Sequence, residues 1–184
     1  MATRNEHKLA ELRRMLPDVT LEALPEGIES PEENGASFAE NALIKAQAAA
    51  RATSRAAIAD DSGLEAEALG GRPGIHSARY AGAHGDDAAN LRKLLGEVPA
   101  GSALRYVCVL AYVEPGGAEE TFEGYCTGTR AHVLRGEGGF GYDPIFVPDA
   151  DDGVRTMAEL TASEKDAISH RGAALRAFSS WLRV

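Results

Sequence analysis

Asp60 and Asp61 stand side by side where the apolar run "AAIADDSG" ends, and a carboxylate there suits a hard cation. Mg²⁺ keeps several waters and takes one or two carboxylates together with the phosphates of a substrate. Neighbouring aspartates on a strand cannot share one pocket, so one of the pair has a structural role. The loop from Glu29 to Glu33 offers a second ligand, or is an acidic loop turned to solvent. A second group is "TRNEHK", where a cap residue before a helix presents unpaired backbone N–H groups and the positive end of the helix dipole. Arg4 and Lys8 add formal positive charge there, which the dipole disfavours and an anion would use.

Lys165, His170 and Arg171 form a third group. In one unbroken helix they would spread around the axis, since five or six residues is not a whole number of turns. A break with Ser169 as N-cap places His170 and Arg171 in a first turn, where cations oppose the dipole and a binding role accounts for them better. The fourth group is "GGFGYDPIF". Its glycines fit either a tight turn or a loop that lets a flat molecule approach, with the aromatics as a stacking face.

These groups need elements to hold them. Asn5 predicts a helix over "EHKLAELRRML", with Leu9, Leu12 and Leu16 at helical spacing and Pro17 as its stop. "VTLEAL" reads as a short strand. Ser37 starts a second, alanine-rich helix, with Glu40 completing a capping box. Asp86 or Asp87 caps a third helix through Val98. "ALRYVCVLAYV" and "EETFEGYCTGT" read as strands joined at "EPGG", "RAHVL" as a possible third, and "ISHRGAALRAFSSWLRV" as the closing helix. Helices alternating with strands, and a hairpin among them, predict an α/β fold with a mixed sheet in one domain over residues 1–184.

The formal net charge of −9 argues against a nucleic-acid backbone as partner, while a local cationic pocket or a metal ion can hold a small polyanion. No apolar run reaches the roughly 18 residues of a membrane span. The opening residues carry no secretory pattern, so the cytoplasm is the expected compartment. Cys108 and Cys126 fit no metal-ligand spacing and read as buried, reduced thiols.

With these residues assembled, the chain resembles the inosine/xanthosine triphosphate pyrophosphatase family. The matching blocks are "TRNEHKLAEL", "SFAENALIKA", "IADDSGLEAEALGGRPGIHSARYAG", "GGFGYDPIF" and "EKDAISHRGAAL", in the family's order. Arg4 departs from the pattern, since many members have glycine there. The resemblance implies a mixed twisted sheet flanked by helices, in two lobes with a nucleotide cleft between them. It implies that Thr3, Arg4, Asn5, Glu6, His7 and Lys8 grip a triphosphate. Asp61 would be general base and Mg²⁺ ligand, with Glu32 at the other metal position or Glu33 in its place. Ser62 would touch the substrate, and Phe140 would stack on the purine within a pocket shaped by Gly141, Tyr142 and Asp143. Lys165, His170 and Arg171 would read the base.

The implied activity is hydrolysis of ITP, dITP and XTP between the α- and β-phosphates, by a homodimer that needs no polymer and no membrane. Two competing readings are a septum-formation-type pyrophosphatase, opposed by "FGYDP" and "SHR", and a nucleotide sensor without catalysis, opposed by Asp61 and the acidic loop. The family also places an apolar strand before its "TGN"-type loop. Only Met1 and Ala2 precede Thr3, so the expectation is a native chain that begins upstream with such a segment.

Overall fold

The computed structural model describes residues 1–3 and 5–183. Among them the elements are α1 (Glu6–Met15), α2 (Phe38–Thr53), β1 (Ala57–Ala66), α3 (Asp87–Glu97), β2 (Ala103–Val113), β3 (Glu119–Arg130), β4 (Phe146–Pro148), α4 (Ala162–Ile168) and α5 (His170–Leu182). The strands form one sheet in the order β1-β2-β3-β4. β2 and β3 are the expected hairpin, and β3 pairs antiparallel with β4 in the register Gly128 to Pro148 and Arg130 to Phe146. Helices flank the sheet, so the α/β expectation holds. No described helix is long and apolar enough to cross a membrane, and both cysteines are buried and unbridged.

The helix starts follow from cap chemistry. The Asn5 side chain accepts from the Lys8 N–H, that of Ser37 from the Glu40 N–H, and that of Asp86 from the Ala89 N–H. Each satisfies one of the donors that a helix N-terminus leaves over. The Glu40 carboxylate reaches back to the Ala36 N–H at 2.7 Å, one residue before the cap of the expected box. The helical run does break at Ser169, which has extended backbone and ends α4 before His170 opens α5.

Three expectations are corrected. "VTLEAL" is irregular chain, because a strand needs a ladder: Val19 and Leu21 pack on the core while the backbone stays outside the sheet. "RAHVL" is no strand either. After the Ala131 N–H donates to the Ile145 carbonyl the chain turns outward, leaving Val133 63% and Leu134 54% exposed. The aspartates do not mark the end of their strand, since β1 continues through "DDSG" and they lie mid-strand.

The chain divides into two compact units, and the division falls within β1, β2 and β3. Unit 1 comprises Met1–Asp61, Cys108–Gly124 and Arg171–Val184, and unit 2 comprises Ser62–Val107 and Tyr125–His170. The core of unit 1 gathers Leu12, Leu16, Ile58, Leu110, Leu175 and Phe178. At its chain start the Ala2 N–H donates to the Ile58 carbonyl and the Met1 amine to the Glu22 carbonyl, both at 2.8 Å, which holds the residues ahead of Thr3. The core of unit 2 packs Leu64, Leu94, Val98, Tyr106, Tyr142, Ile145, Phe146 and Met157.

Candidate functional site

In unit 1 the two adjacent aspartates have separate surroundings. Asp60 is buried, and its Oδ2 lies 3.0 Å from Lys8 Nζ and 3.0 Å from Arg171 Nη2. Arg171, also buried, donates through Nη1 to Glu11 Oε2 at 2.5 Å. Burial alone would push Asp60 up, but Lys8, Arg171 and Lys45 outweigh it and hold the carboxyl well below its usual range. An alternating strand turns successive side chains to opposite faces, which is why the pair separates.

Asp61 receives Lys45 Nζ on Oδ1 at 2.8 Å and Asn41 Nδ2 near Oδ2 at 3.4 Å. Its carboxyl is pushed up, because burial outweighs the help of Lys45. Lys45 also lies 2.9 Å from Glu33 Oε1. Burial works against its charge, yet Asp61, Asp60 and Glu33 together raise it and keep it an ammonium. Asn41 Oδ1 accepts from the Gly35 N–H at 2.9 Å, which fixes the amide with its NH₂ toward Asp61 and ties the acidic loop to β1.

Asp61 and Glu33 thus converge on one cation, the Lys45 ammonium. Two hard oxygen donors around a shared positive charge fit a magnesium ion whose remaining ligands are waters and phosphates. The carboxylate drawn inward is that of Glu33, whereas Glu32 is exposed. Among the described residues no group of three or more His, Cys, Asp or Glu forms a denser metal cluster.

At the start of α1, the Asn5 N–H donates to Thr3 Oγ1 at 3.1 Å and Asn5 caps the helix. Glu6 and His7 are exposed beside the cap, and Lys8 turns to Asp60. Arg4 lies outside the described residues.

Unit 2 carries the glycine loop, and Asp143 is its hub. The buried Asp143 carboxylate accepts from Tyr106 Oη at 3.1 Å, from Lys165 Nζ at 2.7 Å and from the Phe140 N–H at 2.9 Å. Gly139 has a φ of +69°, and a Cβ there would meet Asp143 Oδ2 at 2.1 Å, so the carboxylate occupies the space a side chain would need. Phe140 is half-buried, with Lys165 Nζ 4.7 Å from its ring centroid. Tyr142 is a core residue whose hydroxyl donates to the Ser77 carbonyl at 2.9 Å. His170 stacks on Tyr106 with centroids 4.5 Å apart and planes 7° apart. Ser62 is half-buried in β1.

Unit 2 therefore brings together Phe140, Gly141, Tyr142, Asp143, Lys165 and His170. In unit 1, Lys8 and Arg171 meet on Asp60, and the guanidinium of Arg171 is engaged by two carboxylates. Lys45, Asn41, Glu11 and Tyr106 were not singled out from the sequence. Asn41 and Lys45 are four apart, and Lys8 and Glu11 three apart, so each pair shares a helix face and was discoverable by spacing. Tyr106 sits in an apolar strand and gave no such signal.

The whole chain has close relatives. A protein of Streptomyces coelicolor named dITP/XTP pyrophosphatase is 49% identical, over 96% of this chain and 92% of its own length. One of Mycobacteroides abscessus with the same name is 48% identical over 100% of this chain and 93% of its own. The solved structure of the Staphylococcus aureus Ham1 protein superposes with a TM-score of 0.86 at 40% identity, covering 99% of this chain and 96% of that one. The pattern of the Ham1 family matches residues 1–181, and the chain belongs to that family.

Proposed function

We propose that the chain hydrolyses the non-standard purine nucleoside triphosphates ITP, dITP and XTP to the monophosphate and pyrophosphate, and so cleanses the nucleotide pool. The observation that carries this reading is Asp61, a buried carboxylate oriented by Lys45 and Asn41, with Glu33 on the same ammonium. A carboxylate shifted toward neutrality is a better general base than an exposed one. Relatives of nearly half identity along the chain carry the name dITP/XTP pyrophosphatase, which supports the same substrates here.

Asp61 takes a proton from water, and the resulting hydroxide attacks the α–β phosphoanhydride in line. The phosphorus–oxygen bond of the bridge breaks, and pyrophosphate leaves. Asp61 and Glu33 are the residues that would hold Mg²⁺, with Glu32 the alternative to Glu33. Mg²⁺ would supply neutralisation of the phosphate charge. The capped start of α1 takes the phosphates at the positive end of its dipole, with Thr3, Asn5, Glu6, His7 and Lys8 around them, and Ser62 contacts the substrate. Phe140 stacks on the purine in the pocket shaped by Gly141, Tyr142 and Asp143, and Lys165 and His170 read its edge. Arg171 supports that edge-reading from its carboxylate clamp. A 6-oxo purine offers these donors an acceptor, whereas adenine turns an amino group toward them, a mismatch of about 1–3 kcal/mol. The working form is a cytoplasmic homodimer.

The test is product analysis with ITP, XTP and ATP, with and without Mg²⁺. Inosine monophosphate and pyrophosphate should appear from ITP only with Mg²⁺, and ATP should be a poor substrate. Orthophosphate as the product would refute the bond assignment, and full turnover in chelator would refute the metal.

A further inference from the structure

Asp86 caps α3 and Asp87 is its first residue, and only the Asp86 side chain serves as the cap. The carboxylate of Asp87 points elsewhere: its Oδ2 accepts from the Gly141 N–H at 3.0 Å, across 54 residues of chain. That N–H belongs to the peptide that follows Phe140. The peptide that precedes Phe140 is held by Asp143, which accepts its N–H at 2.9 Å. Phe140 thus stands between two peptide planes, each anchored by one carboxylate. Asp143 is buried and fixed by Tyr106 and Lys165, while Asp87 is exposed and reaches in from α3. Gly141 has a φ of +63°, in the left-handed region that glycine enters without steric cost.

We propose that Asp87 is a positioning residue for purine binding, anchoring the Phe140–Gly141 peptide and so setting the aim of the Phe140 ring. It does not touch the base. The inference rests on the reading of Phe140 as the stacking platform. A base gains from stacking only if the ring is already oriented, so a loosened peptide weakens binding and leaves the chemical step alone. An aspartate that served only the dipole of α3 would change stability and nothing else.

Two substitutions separate these roles. Asp87→Asn removes the charge and keeps an acceptor oxygen, and Asp87→Ala removes both. With Mg²⁺ and ITP, Asp87→Ala should raise KM roughly three- to tenfold, the range of one lost hydrogen bond, with kcat nearly unchanged. Asp87→Asn should restore KM to near the wild-type value. Without any nucleotide, hydrogen exchange at the Gly141 amide should be faster in Asp87→Ala than in the wild type or Asp87→Asn. An unchanged KM in Asp87→Ala, a defect in Asp87→Asn equal to that of Asp87→Ala, or unchanged Gly141 exchange would each overturn the proposal. A wild-type protein inert toward ITP would refute the functional reading instead, and the exchange measurement would still decide the anchor.

Discussion

Asp60 and Asp61 share a peptide bond and differ in almost everything else. Asp60 neutralises Lys8 and Arg171 in the interior, so its charge is part of what holds unit 1 together. Asp61 is buried with less compensation, so its charge is unfavourable to the fold and available for proton transfer. Asp61→Asn should therefore lower kcat by roughly 10²–10⁴, the usual share of a general base, at little or no cost in Tm. Asp60→Asn should do the reverse, costing roughly 3 kcal/mol or more because Arg171 and Lys8 lose their buried partner. Its kcat per folded molecule should fall far less than that of Asp61→Asn. Thermal melts and kcat on the two variants check this, and equal kcat losses would overturn the assignment. That the pair must divide its roles was legible from strand alternation. Which member does what was implied by the family resemblance and not by spacing, because Lys8, Lys45 and Arg171 come from α1, α2 and α5.

The elements were legible where their signals are local. Asn5, Ser37 and the Asp86-Asp87 pair marked helix starts because a cap acts within three residues, and Ser169 marked the break between α4 and α5, where it is the extended residue that ends α4. "VTLEAL" and "RAHVL" misled because pairing is supplied by a distant neighbour that sequence alternation cannot reveal. The glycine loop was legible as a special backbone, but Asp143 as its hub was not, since Tyr106 lies 37 residues away. The hub makes a discriminating prediction. Gly139 and Gly141 both have positive φ, at +69° and +63°. Alanine at either should cost about 1–2 kcal/mol for the left-handed backbone alone. Only at Gly139 does the new Cβ also meet a carboxylate, whereas nothing lies within 4 Å of one at Gly141. Gly139→Ala should therefore lower Tm further than Gly141→Ala and weaken ITP binding, because Asp143 must move and it holds both Phe140 and Lys165. Equal shifts in Tm would show that the carboxylate yields without cost.

At the scale of the whole molecule, burial and charge combine into a dependence of stability on pH. The folded state holds Asp60 well below its ordinary value of 3.8, against burial, through Lys8 first and then Arg171 and Lys45. A carboxylate depressed in this way contributes stability that is fully present well above pH 3.8 and is lost as the pH falls toward its folded pKa. Below pH 3.8 the unfolded chain takes up the proton while the folded chain still refuses it. Each pH unit then removes about 1.4 kcal/mol from this one group. Asp61 has the opposite sign: its raised pKa makes protonation favour the fold, so it does not add to acid unfolding. Urea unfolding of the wild type and Asp60→Asn at neutral pH and at about pH 3 isolates the first effect. The penalty of Asp60→Asn should be smaller by about 1 kcal/mol at the lower pH, because the wild type has by then lost part of what the substitution removes. A penalty that stays constant between the two conditions would mean that Asp60 titrates alike in the folded and the unfolded chain, and the ion-pair account of unit 1 would fall with it.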